Sequence, residues 1–175
     1  MTDIDKRPSW DEYFMMLADV VKKRADCIRG INGAIIIKDQ RIMATGYNGT
    51  PHKIKNCSQG GCVRCQQRNK GEIKRGENEE SCVCIHAEQN AIIQAAYLGI
   101  STKGATLYST ANPCSTCAKM IINAGIIKVV CQMEHHDLAG VEILKKAGVK
   151  VEISIIRPIQ TNTTNTTNER KIKNK

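Results

Sequence analysis

Aromatic side chains are close to absent: one Trp, four Tyr and one Phe make up 3% of the 175 residues. A platform that stacks the bases of a single strand needs several such rings, so the chain lacks the material for one. Long apolar runs are missing too. Nothing approaches the roughly 20 residues that span a bilayer, and the N-terminal MTDIDKRPSWDE carries charges where a secretory leader has its apolar stretch. The expectation is a cytoplasmic protein with no membrane association. Acidic residues are in deficit, 17 against 26 basic, for a net charge of +9. The last nineteen residues hold Arg157, Arg170, Lys171, Lys173 and Lys175 against Glu169 alone, so +4 of that charge belongs to the tail and +5 to the body. A body this mildly basic suits an anionic small molecule and does not require nucleic acid.

Cysteine is what the chain has in excess. Nine thiols in an intracellular protein do not form a disulfide framework, because the compartment keeps them reduced and an odd count leaves one unpaired. Metal ligation is the leading explanation. At this length one domain with a real core is expected.

Trp10–Arg24 has helical period through Trp10, Phe14, Leu17, Ala18 and Val21, with Ser9 after Pro8 as its cap. Gly33–Lys38 and Arg41–Tyr47, joined by Asp39 and Gln40, form a hairpin, and Tyr47-Asn48-Gly49-Thr50-Pro51 is turn chemistry. Residues 52–84 are rich in Lys, Gly, Asn and Cys, show no sustained period, and are too long for a plain loop. Then helices at Ala87–Leu98, Cys114–Ala124 and Leu138–Ala147 alternate with strands at Ala105–Ser109, Ile126–Cys131 and Val149–Ile155. That alternation implies right-handed crossovers and a parallel half-sheet grafted onto an N-terminal hairpin. The expected fold is α/β: a three-layer α/β/α sandwich on a mixed five-stranded sheet. It occupies residues 1–158 with a Cys-rich insertion at 52–84, and the polar, basic tail at 159–175 is expected to be disordered. The Asn-x-Thr triplets at Asn162 and Asn165 go unread in a cytoplasmic protein.

The chemistry concentrates in His86-Ala87-Glu88 and Pro113-Cys114-Ser115-Thr116-Cys117, each opening a predicted helix. Cysteines at i and i+3 share a helical face, so Cys114 and Cys117 reach one metal ion, and the positive helix terminus favours their thiolates. Pro113 suits the start of that helix. With His86 they make three zinc ligands, leaving the fourth tetrahedral position open, as in catalytic and not structural sites. Glu88, two residues from His86 and not needed as a ligand, is placed to move protons between water and substrate. A chance P-C-x-x-C is expected on the order of 0.01 times in a chain of this composition, so its joint occurrence with H-x-E is informative. Each residue alone has a plainer reading. His86 could be a core histidine, Cys114 and Cys117 half of a structural knuckle, and Glu88 a solvated carboxylate at a helix start. The pair H-x-E and P-C-x-x-C is the zinc deaminase signature.

Around these residues the chain resembles the cytidine and deoxycytidylate deaminase family, through A-T-G-Y-N-G-T-P (44–51), H-A-E-Q-N-A-I (86–92), P-C-S-T-C-A-K-M-I-I-N-A-G-I (113–126) and L-K-K-A-G-V-K-V (144–151). The resemblance implies hydrolysis of dCMP to dUMP, which supplies dTTP synthesis, and a cytidine-deaminase-like sandwich. It also implies a homo-oligomer, often a hexamer, with dCTP and dTTP as effectors. By position, Asn48 is similar to the family residue that binds the nucleotide sugar. Ala87 lies within the matching His-Ala-Glu, and the chain at Thr110 and Ala111 would offer a carbonyl to the departing amino group. Two positions depart from the pattern: Asn32 stands where Val is usual, and His135 lies near where Tyr is common.

Cys27, Cys57, Cys62, Cys65, Cys82 and Cys84 supply more thiols than one further zinc could use. A second, structural zinc pinning the insertion is expected, with the ligand set open: the family resemblance points to Cys27, Cys57 and Cys84, while Cys62-x-x-Cys65 competes. Arg64, Arg68, Lys70, Lys74 and Arg75 are read as an exposed charged face in preference to a phosphate site. Two rival functions remain, a deaminase of tRNA or single-stranded DNA and a non-catalytic zinc-binding interaction module. The first lacks an aromatic, basic face, and the second gives Glu88 no role.

Overall fold

The computed structural model describes residues 7–132 and 138–154. His135 and the tail from residue 159, with its Asn-x-Thr triplets, lie outside the described residues. Helix α1 (Trp10–Lys22) starts on a capping box: the Ser9 side chain accepts from the Glu12 amide, and Glu12 accepts from the Ser9 amide. Strands β1 (Gly33–Lys38) and β2 (Arg41–Tyr47) form the expected hairpin. Asp39 and Gln40 both take left-handed backbone, φ 49° and 59°, the twist that a two-residue hairpin turn requires. Helix α2 (Val63–Lys70), helix α3 (Ala87–Tyr97), strand β3 (Thr106–Ser109), helix α4 (Ser115–Asn123), strand β4 (Lys128–Cys131), helix α5 (Ala139–Lys146) and strand β5 (Lys150–Ile153) follow.

The sheet runs β2-β1-β3-β4-β5, with β1 antiparallel to both neighbours and β3, β4 and β5 mutually parallel. This is the expected mixed five-stranded sheet. Alternation along the strands splits the core in two. Ile35, Ile37, Tyr108 and Val130 face Phe14, Met15 and Ala18 of α1. Ala34, Ile36, Leu107, Val129 and Cys131 face the opposite way, onto Ala87, Ala91 and Ala95 of α3, Cys117, Ala118 and Ile121 of α4 and Leu144 of α5. One helix covers the first face and three cover the second. Asp11 of α1 ties the layers at one end, accepting from the Tyr108 hydroxyl and from Lys128 Nζ at 3.4 Å, and Lys128 also meets Glu152 at 2.7 Å.

The insertion is more ordered than its sequence suggests. Besides α2 it holds single 3-10 turns at Cys57–Gln59 and Glu79–Ser81. Helix α2 buries one side chain, Cys65, and so has no apolar stripe for periodicity to find. Its arginines hold the segment together: Arg64 Nε donates to the Glu77 carbonyl at 2.9 Å, and Arg68 donates to the Ile73 carbonyl at 2.8 Å. Among the described residues no helix is long and apolar enough to cross a membrane.

Candidate active site

Two helix N-termini converge beyond the C-terminal ends of β3 and β4, where ligands gather in open α/β sheets. His86 is the residue before α3 and Cys114 the residue before α4, both with extended backbone, and Cys117 lies in the first turn of α4. His86 Nδ1 is 3.5 Å from Cys114 Sγ and 3.4 Å from Cys117 Sγ. Gln89 fixes the entry to α3 by accepting from the His86 amide at 2.9 Å. One imidazole nitrogen and two sulfurs gathered this closely are the donor set of a three-ligand zinc site, and no carboxylate competes within the group. The hydrogen bond from Cys117, reinforced by His86, holds the Cys114 thiol down to about 3, and Cys114 in turn raises His86 to about 9. The same hydrogen bond pushes Cys117 upward.

Glu88 is 4% exposed, in the first turn of α3 and facing the sheet. Ser109 Oγ, at the end of β3, donates to its Oε1 at 3.0 Å, and Cys117 Sγ donates to Oε2 at 3.6 Å. Burial raises its pKa, with the Ser109 hydrogen bond and the His86 charge opposing that. A carboxylate oriented by a fixed hydroxyl, buried beside a metal-binding triad and raised in pKa, is equipped to accept and return a proton.

A cavity of about 270 Å³ opens over these groups, lined by Gly30, Asn32, Asn48, His86, Ala87, Glu88, Ala111, Asn112 and Cys114 among others. Three of the four expected substrate contacts, Asn48, Ala87 and Ala111, therefore face the site. Thr110 does not line it; its hydroxyl accepts from the Gly33 amide at 3.1 Å and donates to Asn32 Oδ1 at 3.2 Å. Asn48 Oδ1 accepts from the Asn32 amide at 2.7 Å and its Nδ2 donates to the Gly30 carbonyl at 2.8 Å, which among the described residues leaves one N–H of the amide for a ligand. Asn32, which departs from the family pattern, is thus a strut between Asn48 and Thr110. A wider adjoining cavity is bounded by His86 and Cys114 on one side and by Arg64 and Arg75 of the insertion on the other. Two of the charges read as an exposed face therefore border the site.

Sequence reasoning missed Ser109, Asn112 and two glycines. At Gly46 of β2 a Cβ would lie 2.2 Å from the Ala87 carbonyl oxygen and 2.3 Å from the Ala91 nitrogen. At Gly140 of α5 it would lie 2.0 Å from the Pro113 carbonyl oxygen. Each glycine lets a neighbouring element press on the start of a ligand-bearing helix. An isolated glycine in a strand pattern was the available signal for Gly46; Ser109 carried none beyond its place at a strand end.

The five insertion thiols and Cys27, which precedes β1, also converge. Cys27, Cys57, Cys65 and Cys84 form one group with sulfurs within 4.8 Å of one another, and Cys62, Cys65, Cys82 and Cys84 form another. The pairs Cys27–Cys65, Cys62–Cys82 and Cys65–Cys84 are each 3.9 Å apart. The ninth cysteine, Cys131, is fully buried at the end of β4 and belongs to neither group.

An α/β sandwich that presents a His-Cys-Cys triad and a buried carboxylate from two helix starts defines a class of metal-dependent hydrolytic centre. Comparison with known proteins narrows it. The chain belongs to the cytidine and deoxycytidylate deaminase family, whose zinc-binding region it matches over residues 8–133. It is 41% identical to the deoxycytidylate deaminase of Saccharomyces cerevisiae over 146 residues, 83% of this chain and 45% of that protein. It is 39% identical to the deoxycytidylate deaminase of Mycobacterium phage D29 over 132 residues, 73% of this chain and 98% of the phage protein. It superposes on the dCMP deaminase of cyanophage S-TIM5, crystallised with dCMP and dUMP, with a TM-score of 0.68 at 33% identity, covering 85% of this chain and 99% of that one. The chain spans less than half the length of its yeast relatives from S. cerevisiae and Schizosaccharomyces pombe.

Proposed function

We propose that this chain is a zinc-dependent deaminase that hydrolyses dCMP to dUMP and ammonia, supplying dUMP for dTTP synthesis in the cytoplasm. The observation that carries the proposal is the buried Glu88 carboxylate, held by Ser109 and in contact with Cys117 of the His86-Cys114-Cys117 triad. His86, Cys114 and Cys117 would hold a zinc ion, and the chemistry it would supply there is activation of a water molecule as nucleophile near neutral pH. The residues do the rest. Glu88 takes a proton from the attacking water and delivers it to ring N3 of cytosine as oxygen bonds to C4. Glu88, a carboxylate again, then takes the proton of the new C4 hydroxyl and passes it to the amino group, so that the C4–N4 bond breaks, ammonia leaves and the C4 carbonyl forms.

Asn48 is assigned to the deoxyribose, through the amide hydrogen not used in holding Gly30. Ala87 borders the base, and the backbone carbonyl of Ala111, which lines the cavity where Thr110 does not, accepts from the amino group. The insertion carries at least one structural zinc on cysteines from the set Cys27, Cys57, Cys62, Cys65, Cys82 and Cys84. The deaminase unit spans residues 1–158, and family resemblance supports a homo-oligomer, a hexamer in many members, activated by dCTP and inhibited by dTTP.

The test is to incubate zinc-loaded protein separately with dCMP, dCTP, deoxycytidine and a tRNA, each with and without dCTP as effector, and to follow loss of the amino group. Selective turnover of dCMP is expected. Turnover of tRNA alone would overturn the substrate assignment, and no turnover of any of them would overturn the enzymatic one.

A further inference from the structure

We infer that the insertion holds two zinc ions in one six-cysteine cluster, with Cys65 and Cys84 each bridging both ions. The inference rests on the reading that the insertion binds zinc, and it fixes the number of ions and the ligand set. The two four-thiol groups overlap in Cys65 and Cys84 alone. Cys27 and Cys57 are private to the first group and Cys62 and Cys82 to the second.

Zinc in a structural site takes four ligands. Two independent four-sulfur sites would need eight thiolates, whereas two sites that share a pair need six, which is the number gathered here. A single ion fits less well. If it took the first group, Cys62, wholly buried, and Cys82 would be left as idle thiols 3.9 Å apart beside a metal. If it took the second, the buried Cys27 and Cys57 would be idle instead. The six thiols come from every part of the segment and from the chain before β1, and they form a buried cluster separate from both faces of the sheet. The charge balance does not oppose the second ion. One ion with four thiolates carries a net charge of −2, and adding an ion with two more thiolates leaves that sum unchanged. Arg29 and Arg64 line the cavity that Cys27, Cys65, Cys82 and Cys84 also line, so cationic side chains stand beside the cluster.

The experiment is metal counting on the full chain, purified without chelator, followed by substitution with ¹¹³Cd²⁺. Wild-type protein is expected to hold three zinc ions per chain, one in the His86 triad and two in the insertion. The double variant Cys62→Ser/Cys82→Ser keeps the first group whole and should lose one ion, and Cys27→Ser/Cys57→Ser should do the same with the second group. Combining His86→Ala with Cys114→Ser empties the catalytic triad and should leave two. In the cadmium protein, the two insertion signals should split each other by coupling through the shared sulfurs. Two zinc ions in the wild type, one of them in the triad, would leave a single insertion zinc and overturn the bridged pair. Three ions with uncoupled cadmium signals would overturn the sharing of Cys65 and Cys84. A single ion, lost in the triad variant, would remove metal from the insertion altogether and so refute the reading beneath the inference as well.

Discussion

Replacing Gly46 with alanine tests whether the site is positioned by backbone contact. The new Cβ would lie 2.2 Å from the Ala87 oxygen and 2.3 Å from the Ala91 nitrogen, against the 3.4 Å or more of ordinary contact. Both partners are main-chain atoms of α3, so no side chain can rotate away, and the helix must retreat from β2 by about 1 Å. Overpacking of this kind costs about 1–3 kcal/mol. For a protein of this size that is a fall in Tm of roughly 2–12 °C. The catalytic cost should be larger in proportion. His86 and Glu88 flank Ala87 and move with α3, while Ser109 and Cys117 stay on other elements. A misplacement of about 1 Å in a catalytic group costs on the order of 10²-fold in rate. The expected result is folded protein whose kcat/KM for dCMP is reduced roughly 10- to 100-fold, with the fall mainly in kcat. The assay pairs steady-state kinetics with thermal unfolding and zinc analysis. Wild-type kcat and Tm in the Gly46→Ala protein would refute the idea that this contact sets the geometry of the site.

Glu88→Gln keeps the size of the side chain and removes the proton acceptor. It should lower kcat by about 10²–10⁴-fold while metal analysis shows the triad's zinc retained; turnover within tenfold of wild type would contradict the assigned role. Burial raises the Glu88 pKa above its ordinary 4.5, and the carboxylate form is the one that works, so kcat/KM should fall with decreasing pH at a midpoint above 4.5. The Ser109 hydrogen bond opposes that rise, so Ser109→Ala should move the midpoint further up, and an unmoved pH profile would count against Ser109 as the residue that tunes Glu88. Chelation of zinc should abolish turnover and lower Tm, because the metal's binding energy is part of the folding energy of the thiol-rich segment; full activity in zinc-free protein would rule out the mechanism. In the core, Met15→Ala should cost about 2–5 kcal/mol, since Met15 is fully buried between α1 and the sheet, and chemical denaturation measures the loss.

The sheet was legible because its strands carry their burial in their sequence. The apolar run Ala34–Ile37 faces helices on both sides, and β3, β4 and β5 each follow a helix that turns apolar residues onto the sheet. The triad was legible because zinc restricts residue type and spacing together. Helix α2 was not, since one buried cysteine is all that it turns inward. Ser109 escaped for a different reason: a serine at a strand end is common, and its role depends on a carboxylate 21 positions away in sequence. Asn48 was singled out by resemblance, and the struts that hold it, Gly30 and Asn32, belong to a loop with no pattern of its own.

As a polymer problem, the insertion is a chain of some thirty residues that must begin near Pro51 and end at His86, where a small displacement matters. A free loop of that length would leave its far end poorly fixed. The thiols cut it up: four residues lie between Cys57 and Cys62, two between Cys62 and Cys65, sixteen between Cys65 and Cys82, and one between Cys82 and Cys84. Once the sulfurs are cross-linked by metal, only the stretch from Gln66 to Ser81 is long, and Arg64 and Arg68 close it with bonds to Glu77 and Ile73. Loop-closure entropy grows only with the logarithm of length, so the gain comes from the number of closures and not from any one of them. Cys84 is then an anchored point two residues before His86, and Ile85 between them is paired with Gly49. His86 hangs from a short, fixed tether on one side and from a helix on the other.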